Sequence, residues 1–136
     1  MDIWSWIKQC ESAWCTKDAD RAAELFTEDA LYFPHVAEKP HCGRARIRTY
    51  WREVTATQHE MNLRFSEPLI VGRRATVEWW AMFRDVRLTQ PHADDRVTLP
   101  GCMVLRFAEN GLCEELREYW YAVLGAHVPA PEGWGR

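Results

Sequence analysis

The sequence predicts an α+β domain in which helices pack against one face of a curved antiparallel sheet. In the first half of the chain, apolar residues recur every three or four positions, the spacing of amphipathic helices. After residue 60 the period falls to two, and Val, Trp, Phe and Thr become frequent, as in β-strands. Helices followed by an antiparallel meander are typical of this class, and a sheet curled around helices leaves a cavity at its open end.

Three helices are predicted in the first half. The apolar stripe of the first comprises Ile3, Ile7, Cys10 and Trp14. Asp18 has the position of an N-cap for a short second helix. A brief strand at 31–33 and a turn at 40–43 follow. The stripe of the third helix comprises Ile47, Tyr50, Trp51 and Val54.

The second half predicts a meander of strands over residues 61–65, 75–88, 96–107 and 112–121. The third of these is expected to break near Pro100-Gly101, and Gly111 allows the tight turn before the last. We therefore expect one domain over residues 1–124 and an extended C-terminal tail over 125–136.

Composition excludes several classes of function. The 136 residues carry a formal net charge of −3, without the basic excess of a nucleic-acid binder. The longest apolar run, 79–83, is too short to cross a bilayer, and the N-terminus lacks a signal-peptide pattern. The five cysteines form no CxxC pair, which favours reduced thiols and a cytoplasmic location.

No metal or cofactor is expected. The histidines and cysteines lack the paired spacing of a zinc site. Nucleotide, dinucleotide and serine-hydrolase motifs are missing as well. We therefore expect this protein to act without a cofactor on a small hydrophobic or aromatic molecule.

Four fragments in order carry a resemblance to a known family. They are the short helix from Asp18 that leads into "LFTEDALY" at 25–32, Gly43 followed by Ile47 and Tyr50-Trp51, Val77-Glu78-Trp79, and "VLRFAENGLCEELREYW" at 104–120. Over most of residues 10–122 the chain resembles the nuclear transport factor 2-like superfamily, in particular its SnoaL-like branch. The resemblance implies a cone-shaped α+β barrel with a deep pocket, often dimeric through the outer sheet face. The superfamily includes ketosteroid isomerases, polyketide cyclases, dehydratases, epoxide hydrolases and non-enzymatic binding proteins, so the fold leaves the function open.

The acids and donors of the best-known relatives have no counterpart in this sequence. The resemblance places the catalytic base of the ketosteroid isomerases at Pro34, their tyrosine donor near Cys10 and their second acid at Met103. SnoaL-like cyclases often carry an acid directly after the Trp of the last strand, where this chain has Tyr121. Neither apparatus is expected to operate here.

The same resemblance predicts which strand residues face the pocket. The inward sets are Thr76, Glu78 and Trp80; Gly101, Met103 and Leu105; and Leu116, Glu118 and Trp120. Glu78 and Glu118 would then lie among aromatic side chains, where burial raises a carboxyl pKa toward that of a general acid or base. His35, expected at the pocket mouth, is a third candidate for proton transfer. The alternative is that each glutamate forms a structural ion pair and that His35 is a solvated loop residue.

The aromatic residues predict both a ligand pocket and a subunit interface. The candidate ligand-binding residues are Trp14, Tyr32, Trp51, Trp80, Met103 and Trp120. Trp79 would then face outward and, with Arg117 and Tyr119, pack on a second copy of the chain. Two functions stay open: a cofactor-free isomerase, dehydratase or cyclase acting by proton transfer on a small hydrophobic molecule, or a non-catalytic dimeric binding module.

Overall fold

The computed structural model describes all 136 residues and contains four helices. Their bounds are α1 Ile3–Cys15, α2 Ala19–Glu24, α3 Arg44–Thr55 and α4 Val86–Thr89. The side chain of Asp2 caps α1 by accepting from the Ser5 backbone N–H, and Asp18 caps α2 as the sequence predicts. None of these helices has the length and apolar character needed to cross a bilayer.

Eight strands form one curved sheet. They are β1 Phe26–Phe33, β2 His41–Cys42, β3 His59–Phe65, β4 Leu69–Val71, β5 Arg74–Arg84, β6 Arg96–Phe107, β7 Cys113–Trp120 and β8 Val123–Leu124. The main order is β2-β1-β7-β6-β5-β3, with β4 on β5 and β8 on β6. The predicted α+β class is confirmed, but the sheet is mixed, because β1 pairs with β7 in parallel.

Two predicted strand boundaries are wrong. The strand expected over 75–88 ends at Arg84, because the Asp85 carboxylate accepts from the backbone N–H groups of Arg87 and Leu88 and starts α4. The break expected near Pro100 does not occur, and β6 stays paired with β5 through Gly101. An added Cβ at Gly101 would lie only 2.2 Å from Trp79 Cζ2. The missing side chain therefore makes room for the indole instead of ending the strand.

The core lies between the helices and the concave face of the sheet. It contains 24 buried apolar residues, contributed by α1, α2, α3 and by β1, β5, β6 and β7. Trp6 of α1 is fully buried and its indole N–H donates to the Leu25 carbonyl over 2.7 Å. The satisfied indole N–H lets this large ring sit in the core without the cost of an unpaired donor.

The predicted inward set of β5 is wrong by one residue. Trp79 is 2% exposed and points into the core, whereas Glu78 lies exposed on the outer face with Trp80. Opposed residues of an antiparallel pair project on the same side, and Val77 lies opposite the buried Met103. Because side chains alternate, this register directs Val77 and Trp79 inward and Glu78 and Trp80 outward.

The tail after Leu124 crosses the outer face of the sheet. The Trp80 indole N–H donates to the Val128 carbonyl over 2.8 Å, and the Trp134 ring meets the Trp80 ring edge-on at 6.0 Å. The Arg64 guanidinium lies 5.1 Å from the Trp134 ring centre. The outward tryptophan of β5 is thus partly covered by the chain's own C-terminus.

Candidate functional site

A mostly apolar cavity opens between α1, α3, α4 and the concave face of the sheet. The cavity volume is about 80 Å³, and all the empty space between its lining residues, open solvent included, is about 610 Å³. Eleven of the fourteen lining residues are hydrophobic. The lining comprises Cys10, Trp14, Tyr32, Tyr50, Trp51, Val54, Thr55, Gln58, Trp79, Leu88, Leu99, Met103, Glu118 and Trp120. Apolar cavities of about 150 Å³ hold a benzene ring, so a cavity of about 80 Å³ fits a smaller group, and a ring must extend toward the opening.

Glu118 is the single carboxyl group of this cavity. It lies on β7 opposite Met103 of β6, and its Oε1 accepts a hydrogen bond from the Tyr32 hydroxyl at 2.5 Å. Burial raises the pKa of Glu118 to about 7, although the hydrogen bond from Tyr32 partly opposes that shift. None of the ion pairs in the structure includes Glu118. A carboxyl in this environment can give or take a proton near neutral pH.

The other titratable groups around Glu118 stay neutral. Burial, and then the nearby Glu118 carboxylate, raises the pKa of the Cys10 thiol and of the Tyr50 hydroxyl. The same two causes hold the pKa of Tyr32 well above its usual value. A thiol in this environment is a poor nucleophile, since only the thiolate attacks. Glu118 is therefore the one cavity group suited to proton exchange near pH 7.

Tryptophan rings form much of the cavity wall. The Trp14 ring contacts the Trp51 ring at 6.1 Å and the Trp79 ring at 5.1 Å, both edge-on. The Trp14 indole N–H donates to Gln58 Oε1, and the Trp120 indole N–H donates to the Pro34 carbonyl, each over 2.9 Å. These contacts fix the rings at the wall, so the cavity has a defined shape before a ligand binds.

The short helix α4 sets the opening of the cavity. Leu88 is the most exposed of the lining residues, with 37% of its surface accessible. The buried Asp85 carboxylate and the Thr89 hydroxyl, which donates to the Asp85 carbonyl, fix this turn. Sequence reasoning missed Leu88 because it assigned the residue to a strand, and the Asp85 N-cap was the signal that could have corrected it.

Six of the predicted site residues line the cavity: Trp14, Tyr32, Trp51, Met103, Glu118 and Trp120. The expected inward position of Glu78 and Trp80 is wrong, for the register reason given above. His35 is exposed and is not part of the lining, although its ring packs against Trp120 with the ring centres 5.2 Å apart.

Sequence reasoning also missed part of the lining. Tyr50, Gln58 and Trp79 were not expected there, although Tyr50 stands on the same helical stripe as Trp51. No group of three His, Cys, Asp or Glu side chains is arranged to hold a metal ion.

Comparison with known proteins identifies the family. Residues 7–116 match the family model of the SnoaL-like domain. The chain belongs to the SnoaL-like domain family. A search of curated protein sequences found no match. The match to the family model confirms the resemblance inferred from the four sequence fragments.

Solved structures share the fold of this SnoaL-like protein at low sequence identity. The epoxide hydrolase/cyclase-like enzyme SalBIII, with a role in pyran ring formation in polyether salinomycin, is 20% identical at a TM-score of 0.71, covering 86% of this chain and 88% of its own. A protein from Catenulispora acidiphila with a ketosteroid isomerase-like fold, in complex with trimethylamine, is 17% identical at a TM-score of 0.71, covering 84% of this chain and 83% of its own. A protein from Shewanella denitrificans, described as a candidate SnoaL-like polyketide cyclase, is 13% identical at 0.74, covering 87% and 89%.

Proposed function

We propose that this SnoaL-like protein binds a small hydrophobic molecule in its aromatic cavity and moves a proton on it with Glu118, as an isomerase or cyclase does. The observation that carries the proposal is a single carboxyl with a pKa of about 7 in a cavity whose other lining residues are mostly apolar. The relationship to polyketide cyclase-like and epoxide hydrolase/cyclase-like proteins supports this class of reaction.

Glu118, Tyr32 and the tryptophans have different roles in the proposed proton transfer. The Glu118 carboxylate would accept a proton from a carbon acid and, once protonated, return it to another atom of the same molecule. The Tyr32 hydroxyl donates to Oε1 of the carboxylate, so Oε2 would be the oxygen that exchanges the proton with the ligand. Tryptophan rings would exclude water and orient the ligand. No role in this step is assigned to His35 or to Glu78, which lie outside the lining.

A small ring ketone, 3-cyclopenten-1-one, tests the proton transfer. Its conversion to 2-cyclopenten-1-one removes one proton at C2 and adds one at C4, which a single carboxylate can do. We expect the initial rate with the wild type to rise with pH and level off above about 7, as Glu118 ionises. Glu118→Gln should lower it by at least about 100-fold, the usual size of a general-base contribution.

The matched control is Glu109→Gln, in an exposed turn away from the cavity, which should keep the wild-type rate. Equal rates for Glu118→Gln and the wild type would reject proton transfer by Glu118. The non-catalytic binding module would then be the better description of the cavity.

We also propose that two copies pair through the outer sheet face. Trp79 no longer supports this, because it is buried in the core, but Tyr119 remains 47% exposed on that face beside Arg117. In a two-fold interface each substitution occurs twice. Tyr119→Glu should therefore convert the dimer to a monomer in size-exclusion chromatography with light scattering. A monomeric wild type would contradict the proposal.

Two further proposals follow from composition. We infer a cytoplasmic location, because all five cysteines are free in the folded chain. We infer that nucleic acid is not a partner, because the net charge is −3.

A further inference from the structure

The cavity lining can carry negative charge but no positive charge. Glu118 is the only carboxyl among the lining residues, and no Lys, Arg or His joins it there. The groups that face it are Cys10 from α1, Tyr32 from β1 and Tyr50 from α3, all neutral near pH 7, and the uncharged Met103 lies opposite it on β6. When Glu118 ionises, its charge has a hydrogen bond from Tyr32 but no positive partner in the protein.

Aromatic rings supply the rest of the wall. Four indoles and two phenols line the same cavity as Glu118. The face of an aromatic ring, of tryptophan above all, attracts a cation, and cages of such rings recognise quaternary ammonium groups. An anionic ligand would meet a carboxylate and no positive side chain, whereas a small organic cation would supply the missing charge.

We propose that the cavity of this protein selects a small alkylammonium ion, with the Glu118 carboxylate as its counter-charge and the tryptophan rings around its alkyl groups. This proposal rests on the proposed function, since it names the substrate class of the same Glu118 site. The cavity volume of about 80 Å³, together with the opening to solvent, suits a head group of a few methyl groups on one nitrogen. A positive charge beside Glu118 favours the ionised form of its carboxyl group.

Binding of such an ion is linked to the ionisation of Glu118. In the empty cavity the carboxyl is largely protonated below pH 7, so a cation that binds there must displace that proton. The affinity for the cation should fall about tenfold for each pH unit below 7 and become constant above it. A neutral ligand of the same size has no such dependence.

Tetramethylammonium and tert-butanol, each with five non-hydrogen atoms, are the two probes. We expect tetramethylammonium to bind at least about tenfold tighter than tert-butanol at about pH 8.5. Binding of each probe is measured by tryptophan fluorescence and by calorimetry. Glu118→Gln should remove this preference while leaving tert-butanol binding unchanged. Glu109→Gln, in an exposed turn, should preserve the preference.

The proposal of cation binding and the proposal of proton transfer are tested independently by these experiments. Equal binding of both probes, tighter binding of tert-butanol or no binding of either would overturn the cation proposal. Glu118-dependent isomerisation of the ring ketone would in that case still support proton transfer. Conversely, a cation preference that depends on Glu118 without any isomerisation would identify an ammonium-binding module.

Discussion

Glu118→Gln is expected to stabilise the protein at alkaline pH. In the folded chain burial raises the pKa of this carboxyl to about 7, against 4.5 for an unperturbed glutamate. Between these values the folded state binds more protons than the unfolded state, so the free energy of unfolding of the wild type falls as pH rises through this window. Above about pH 7 this decrease in the free energy of unfolding is complete and no longer changes with pH. A glutamine does not ionise, so the variant shows no such decrease.

The size of the effect follows from the shift. A shift of this magnitude corresponds to about 2 to 3 kcal/mol, the lower figure allowing for the partial solvent exposure of the Glu118 residue. Urea unfolding of both proteins at about pH 5 and pH 8.5 measures it. The stability of Glu118→Gln relative to the wild type should increase by that amount at the higher pH, because the glutamine side chain can still accept from Tyr32.

Glu109→Gln is again the matched control. Its free energy of unfolding should differ from that of the wild type by the same amount at both pH values. A difference between Glu118→Gln and the wild type that does not change with pH would mean that Glu118 ionises normally in the folded chain. The basis for its role as an acid or base near neutral pH would then be lost.

Gly101→Ala is expected to cost roughly 3 kcal/mol of stability. Its Cβ would lie 2.2 Å from Trp79 Cζ2 and 2.3 Å from Cε2, far inside van der Waals contact. Trp79 is 2% exposed and its ring packs edge-on against Trp14 at 5.1 Å, so a retreat would cost that contact and move the indole into the cavity that it lines. Overpacking typically costs about 1 to 3 kcal/mol, and a methyl group that clashes with three ring atoms falls at the upper end.

A double-mutant cycle separates this clash from a general cost of alanine in β6. In a Trp79→Leu background the smaller side chain leaves room for the new methyl group, so Gly101→Ala should cost less than about 1 kcal/mol there. The measurement is urea unfolding of the four proteins. An equal cost in both backgrounds would show that the indole does not fix the need for glycine at residue 101.

The helical half of the fold was the more predictable half. The stripes through Ile7 and Cys10 and through Ile47 and Trp51 are the buried faces of α1 and α3, and Asp18 is the N-cap that begins α2. These features are local: a turn of helix and its cap are encoded within a few residues, and the three- to four-residue period identifies the buried face directly.

The strands were predicted less well because their faces depend on pairing. A two-residue period has only two phases, and an error of one residue exchanges the faces. Glu78 and Trp80 were placed inward by resemblance, but the pairing of Val77 with Met103 directs them outward. The polar Thr76, Glu78 and Arg84 on one side of β5 and the apolar Val77, Ala81 and Phe83 on the other already favoured the observed phase.

The sequence by itself determined the class of fold, the family, the three helices of the first half with the Asp18 cap of α2, and Glu118 as a candidate acid or base. Only the tertiary structure decided that Glu118 has no second carboxylate beside it, that Tyr32 donates to it, and that Leu88 lies at the opening. Tyr32 and Glu118 are 86 residues apart and meet because β1 joins β7 in parallel. Periodicity and capping are properties of neighbouring residues, whereas a site built across strands depends on register, which only the packed chain fixes.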